Sequence, residues 1–164
     1  MQTIRKYTDK VIEYICISFI AIMTTLVTWQ VITRYFFKSP NAYTEQICKY
    51  MFIWLVLLAS AYVFGKKEHM SIVFLREKFT GRAAVKVNII IELIVIIFAI
   101  GVLVVGGFNN TLLTMGQSDS VLPITIGMIY MMLPISGLLT VMYSICNIMD
   151  ILNGKLEEED IKSE

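Results

Sequence analysis

The sequence predicts an all-α integral membrane protein with four transmembrane helices, and three observations carry that prediction. Of 164 residues, 57% are hydrophobic and 16% charged, with a mean hydropathy of 0.71, more apolar surface than one soluble core of this size can hide. Four stretches reach or approach the ~20 apolar residues that cross about 30 Å of hydrocarbon: residues 11–33, 40–64, 87–108 and 121–149. Runs such as NIIIELIVIIFAIGVLVV lack the period-2 alternation of barrel strands, and lipid tolerates no unpaired backbone, so the spans must be helices. Residues 1–153 therefore form one membrane domain, followed by an acidic tail over 154–164.

Span one follows Arg5, Lys6 and Lys10, like a signal peptide, but its apolar stretch is too long and lacks small cleavage-type residues before Trp29. It is expected to stay as a helix. Ser18, Ala21, Thr25 and Thr28 share one face, suited to close packing against a neighbour in lipid. The apolar part of span two, Met51 to Phe64, has only 14 residues, about 21 Å of helix. Its helix must begin earlier, inside the charged stretch RYFFKSPNAYTEQICKY. Ser39 reads as the N-cap with Pro40 at the first helical position, and Glu45 and Lys49 fall at i, i+4 in the favourable order. Ala61 and Gly65 end the span as a small-residue pair.

The segment HMSIVFLREKFTGR is too short and charged to cross. Met70, Val73 and Phe74 predict a short interfacial helix there. In span three, Glu92 shares a face with Ala99 and Gly106. In span four, Pro123 fits the first turn, Pro134 predicts a kink, and Ser136, Thr140 and Ser144 offer a packing face. The tail LEEEDIKSE has no apolar periodicity and is expected to be solvated and disordered.

Cations resist translocation. With both termini in the cytoplasm, eleven of the fourteen lysines and arginines lie on the cytoplasmic side. The exceptions are Arg34, Lys38 and Lys49, all around the first outer loop. Arg34 could bridge to Glu45 and clamp the hairpin, meet a partner subunit, or snorkel to headgroups beside Trp29, Tyr35 and Tyr43. Ionisable residues within spans are candidates for function. Glu13 and Glu92 lie near the cytoplasmic ends, where interfacial, packing, subunit-contact or ion-pathway roles are open. Cys16, Cys48 and Cys146 have no metal-type spacing. A single histidine, His69, cannot supply a two-ligand haem site. No nucleophile and base, phosphate loop or carboxylate pair is present. Neither enzyme activity, a cofactor, a metal nor a nucleic-acid partner is expected, and the basic middle loop suits membrane lipids. No internal repeat suggests an inverted-repeat transporter within this chain alone.

The ordered pieces WQVITRY, SP, TEQICKYMFIW and GKKEHM, followed by GQSDSVLPITIGMIYMMLPISG, resemble the small membrane subunit of tripartite ATP-independent periplasmic (TRAP) transporters. The resemblance runs from about Trp29 to Gly137. It implies a bacterial inner-membrane location and a sodium-coupled importer of an organic carboxylate, sialic acid or a C4-dicarboxylate. In that arrangement a periplasmic binding protein captures the substrate and a large membrane subunit carries it by an elevator motion. The small subunit would widen the static scaffold. By motif, Arg34, Tyr35, Glu45, Lys49, Trp54 and His69 become candidates for the subunit contact or hairpin clamp, with Glu92 and Pro134 as further packing or interface positions. Gln46 and Lys49 stand where the resemblance leads one to expect an acidic residue and an arginine. The competing readings are a self-contained four-helix exporter built on a membrane glutamate, and a structural subunit of another membrane complex.

Overall fold

A computed structural model describes residues 2–38, 41–66 and 82–161, with side chains over 5–38, 41–66 and 85–154. The elements are α1 (Gln2–Phe36), α2 (Ala42–Gly65), α3 (Arg82–Phe98), a π-helical segment (Ala99–Gly106), α4 (Gly107–Thr114), α5 (Ile126–Tyr130) and α6 (Met132–Ile161). Four helical stretches are long and apolar enough to cross a membrane: Arg5–Phe36, Ala42–Gly65, Val85–Thr114 and Ile126–Gly154. The all-α, four-span prediction is met. No strand occurs among the described residues, only an isolated bridge between Ser118 and Thr125.

Boundaries differ from the sequence reading in ways that have local causes. Helix α2 begins at Ala42 rather than 40, because Asn41 supplies the cap, its side chain accepting the Tyr43 N–H at 3.0 Å. The expected cap at Ser39 and Pro40 lies outside the described residues, as does the expected interfacial helix with His69. Lys38 closes the described end of the first span with φ 50°, the left-handed conformation that turns a chain out of a helix. Span four starts at Ile126, not 121, and Pro123 lies in the loop ahead of it. Pro134 acts as expected: it cannot donate to the carbonyl of Tyr130, and the helix is interrupted at Met131. The acidic tail is helical to Ile161 rather than disordered. Its leucine and glutamates are good helix formers extending an existing helix.

The spans pack in the order α1, α2, α6, α3, so α6 is central and α1 peripheral. Ile12, Leu58, Met132 and Tyr143 form the buried cluster where α1, α2 and α6 meet. The small residues of spans two and four behave as predicted: Ala61, Ser136, Thr140 and Ser144 are buried. A Cβ on Gly65 would lie 2.5 Å from the Tyr143 ring, so only glycine admits this approach. The stripe on α1 does not pack within the chain. Ser18, Ala21, Thr25 and Thr28 face outward, because Ile12, Cys16 and Phe19 take the inner side.

The π-helical segment was not legible in the sequence and has a measurable effect. A continuous α-helix would bury Glu92, Ala99 and Gly106 together. Glu92 and Ala99 are buried, but then Gly107 and Thr111 take the inner face and Gly106 is exposed. The widened turns shift the register by one residue. AIGVLVVG is apolar all round, so the shift puts no polar side chain into lipid.

Candidate functional site

Polar side chains gather at both ends of the bundle. At the hairpin end, where α1 passes to α2, the loop after α4 folds back on itself. The Asp119 N–H donates to the Ile124 carbonyl at 3.0 Å and the Ile126 N–H to that of Gln117 at 2.9 Å. Asp119 Oδ1 accepts the Val121 and Leu122 N–H groups at 2.9 and 2.8 Å. Its other oxygen, Oδ2, accepts the Gln46 amide at 2.9 Å and the Tyr50 hydroxyl. Gln46 and Tyr50 are i, i+4 on α2, so one carboxylate docks the loop against that helix. The Tyr50 hydroxyl, the Leu122 and Val121 N–H groups and Gln46 together hold the Asp119 carboxyl at about 2, below the ordinary value of 3.8.

Five of the expected residues are now placed. Glu45 pairs with Lys49 at 2.7 Å within α2, and no bond joins it to Arg34. Lys49 is the i, i+4 partner within reach on the same helix, while Arg34, on another helix, acts on Glu45 through its charge as the smallest of the effects that favour the ionised carboxylate. Arg34 lies in the last turn of α1, next to Tyr35, which is 74% exposed. Trp54, one turn beyond Tyr50, donates its Nε1–H to the Ile129 carbonyl at 3.1 Å. That carbonyl belongs to α5, just before the interruption ahead of Pro134. Trp54 thus ties α2 to the broken region of span four.

At the opposite end a second network joins three helices. Arg5 pairs with Asp150 at 3.0 Å and also donates to the Gly65 carbonyl. Tyr143, fully buried, donates to Asp9 Oδ1 at 2.5 Å. Lys66 lies 4.5 Å from the centre of the Tyr62 ring, within cation–π range. Between α3 and α6, Glu92 is only 3% exposed and accepts Asn147 Nδ2 at 3.3 Å. That burial turns Glu92 toward α6 rather than toward the outer surface. Glu13 faces outward.

Sequence reasoning missed Gln46, Tyr50 and Asp119, and also Arg5, Asp9, Tyr143, Asn147 and Asp150. The usable signals were faint: the lone acid in a cation-free loop, and Arg5 and Asp9 one turn apart. The pairing across 55 to 145 positions is invisible without the fold. Chemically, both networks are donor and acceptor ties between helices. Among the described residues no group of three His, Cys, Asp or Glu side chains could hold a metal.

Such a molecule is, in form, a small four-span helical membrane protein whose polar groups bind its own helices together. The profile of the DctQ component of tripartite ATP-independent periplasmic transporters matches residues 23–154, and the chain belongs to this family. It is a TRAP transporter small permease subunit, a transporter component and not an enzyme.

Relatives agree. A Vibrio cholerae protein named sialic acid TRAP transporter small permease protein SiaQ is 24% identical over 94% of this chain and 90% of its own length. Two Haemophilus influenzae proteins described as TRAP transporter small permeases are 36% identical over 52% of this chain and 30% identical over 61%. The matches span 55% and 63% of those two relatives' own lengths.

Proposed function

We propose that this chain packs against a large TRAP membrane subunit in the bacterial inner membrane and widens its static scaffold. The assembled carrier imports an organic carboxylate with sodium, by an elevator motion, from a periplasmic binding protein. Family membership over residues 23–154 is the observation that supports this reading most. Sialic acid is the first substrate to try, because the Vibrio cholerae relative carries that name, and a C4-dicarboxylate is the next.

An elevator needs a stationary part that resists tilting while the mobile part slides. A row of four helices tied at both ends by the Asp119 and Arg5 networks suits that task. For the contact face we assign the outward stripe of α1. Ser18, Thr25 and Thr28 already donate their hydroxyls to the Tyr14, Ala21 and Thr24 carbonyls at 2.8, 2.9 and 2.8 Å, so a partner helix can approach closely without stranding a donor. Arg34 and Tyr35, exposed at the end of α1, extend the contact toward the membrane surface. The test is sodium-gradient uptake in proteoliposomes holding the large subunit and binding protein, with and without this chain. Uptake that needs the chain supports the reading; equal uptake without it contradicts it.

One observation favours a second reading. A buried carboxylate, Glu92 beside Asn147, is what a self-contained exporter would use. Liposomes holding this chain alone decide the matter: proton-coupled efflux abolished by Glu92→Gln would support the exporter.

A further inference from the structure

The peripheral position of α1 leaves an apolar groove between α1 and α6, floored by α2 and about 590 Å³ in volume. Tyr7, Val11, Ile15 and Phe19 line it as a single i, i+4 row, with Trp54 on the floor and Leu139 opposite. We propose that this groove holds one acyl chain of an anionic phospholipid whose headgroup meets Lys6 and Lys10.

Dimensions favour a lipid chain over a protein helix. From Tyr7 to Phe19 is twelve residues, ~18 Å of helix at 1.5 Å per residue. One leaflet of a ~30 Å hydrocarbon core is about 15 Å, so the groove matches one acyl chain in length. Large side chains line the groove instead of the glycine and alanine that admit a helix backbone.

Charge fixes the kind of lipid. Lys6 and Lys10 are exposed one turn apart on α1, flanking Tyr7, the lining residue nearest the N-terminal end of that helix. Among the described residues neither is in an ion pair: Asp9 receives Tyr143, Asp150 receives Arg5, and the exposed Glu13, three residues beyond Lys10, forms no salt bridge. Two uncommitted cations over a hydrocarbon slot select an anionic headgroup over a zwitterionic one. The inference requires only that the chain lie in a bilayer.

The chain has two tryptophans, so full-length Trp29→Phe leaves Trp54, on the groove floor, as the reporter. Vesicles of phosphatidylcholine carry a small, equal fraction of either dibrominated phosphatidylglycerol or dibrominated phosphatidylcholine, whose bromines quench tryptophan on contact. At equal fraction the brominated phosphatidylglycerol quenches Trp54 at least twofold more effectively. Lys6→Gln with Lys10→Gln removes that preference while leaving Arg5 in its ion pair. Val11→Phe, which narrows the groove at an exposed position, lowers quenching by both lipids. Equal quenching by the two lipids at the outset, or a preference that survives the lysine changes, overturns the proposal. Native mass spectrometry of the chain purified with its permease adds a second arm. Phosphatidylglycerol retained by the starting chain and lost with the lysine changes supports it; a complex free of anionic lipid assigns the groove to the permease and overturns it.

Discussion

Asp119 gathers four donors on one carboxylate, and most of its chemistry follows from that count. Because those donors hold its carboxyl at about 2 in the folded chain, the stabilisation they give is fully present above the ordinary carboxylate range near 4. It is lost as pH falls through about 2. The thermal-unfolding advantage of the starting protein over Asp119→Asn in detergent is therefore constant from pH 7 to about 4 and shrinks below that; an advantage that varied between pH 5 and 7 would rule this out.

Trp54 offers a cleaner single bond. Trp54→Phe keeps an aromatic ring on the groove floor but loses the Ile129 tie, and should cost about 0.5–1.5 kcal/mol in reversible unfolding. The sequence exposed such residues unevenly. Trp54 stood out inside a family-like motif, whereas Asp119 looked like an ordinary loop acid, because its meaning lies in partners 69 and 73 positions away.

At the scale of elements, helix existence was legible and helix phase was not. Hydrophobic length located every span, since crossing the hydrocarbon demands it. Nothing in AIGVLVVG marks a π-helical turn, and so the predicted Glu92, Ala99 and Gly106 face became Glu92, Ala99 and Gly107. That difference can be measured. A Cβ at Gly107 would sit 2.7 Å from Leu133 Cβ, whereas one at Gly106 meets only the Gly101 carbonyl oxygen at 3.5 Å. Gly107→Ala should destabilise by about 1–3 kcal/mol through overpacking, and Gly106→Ala should be neutral or stabilising by up to about 1 kcal/mol. A continuous α-helix predicts the reverse order.

The hairpin needs the same revision. Glu45 belongs to Lys49, so Arg34→Ala and Glu45→Ala should affect recovery of the complex additively; a double variant no worse than either single one would restore the clamp between them.

The whole molecule is a row of helices rather than a closed bundle, with α6 in the centre and α1 at the edge. That arrangement explains why the face with the best helix-packing chemistry on α1 points outward, a feature whose direction the sequence could not give. The same stripe was legible as a packing surface but its neighbour was not, because composition reports what a face can touch and only the fold reports what is already touched. The two polar networks stiffen the row at its ends, and the groove beside α1 leaves room for a lipid chain.

The central claim is that this chain works as the small subunit beside a larger permease, through the outward face of α1. Affinity purification of the tagged chain from its native membrane in mild detergent, compared with a Thr25→Leu and Thr28→Leu variant, tests it most directly. A large polytopic permease is expected in stoichiometric amount with the starting chain and in poor yield with the variant. Purification of the chain without any such permease would contradict it.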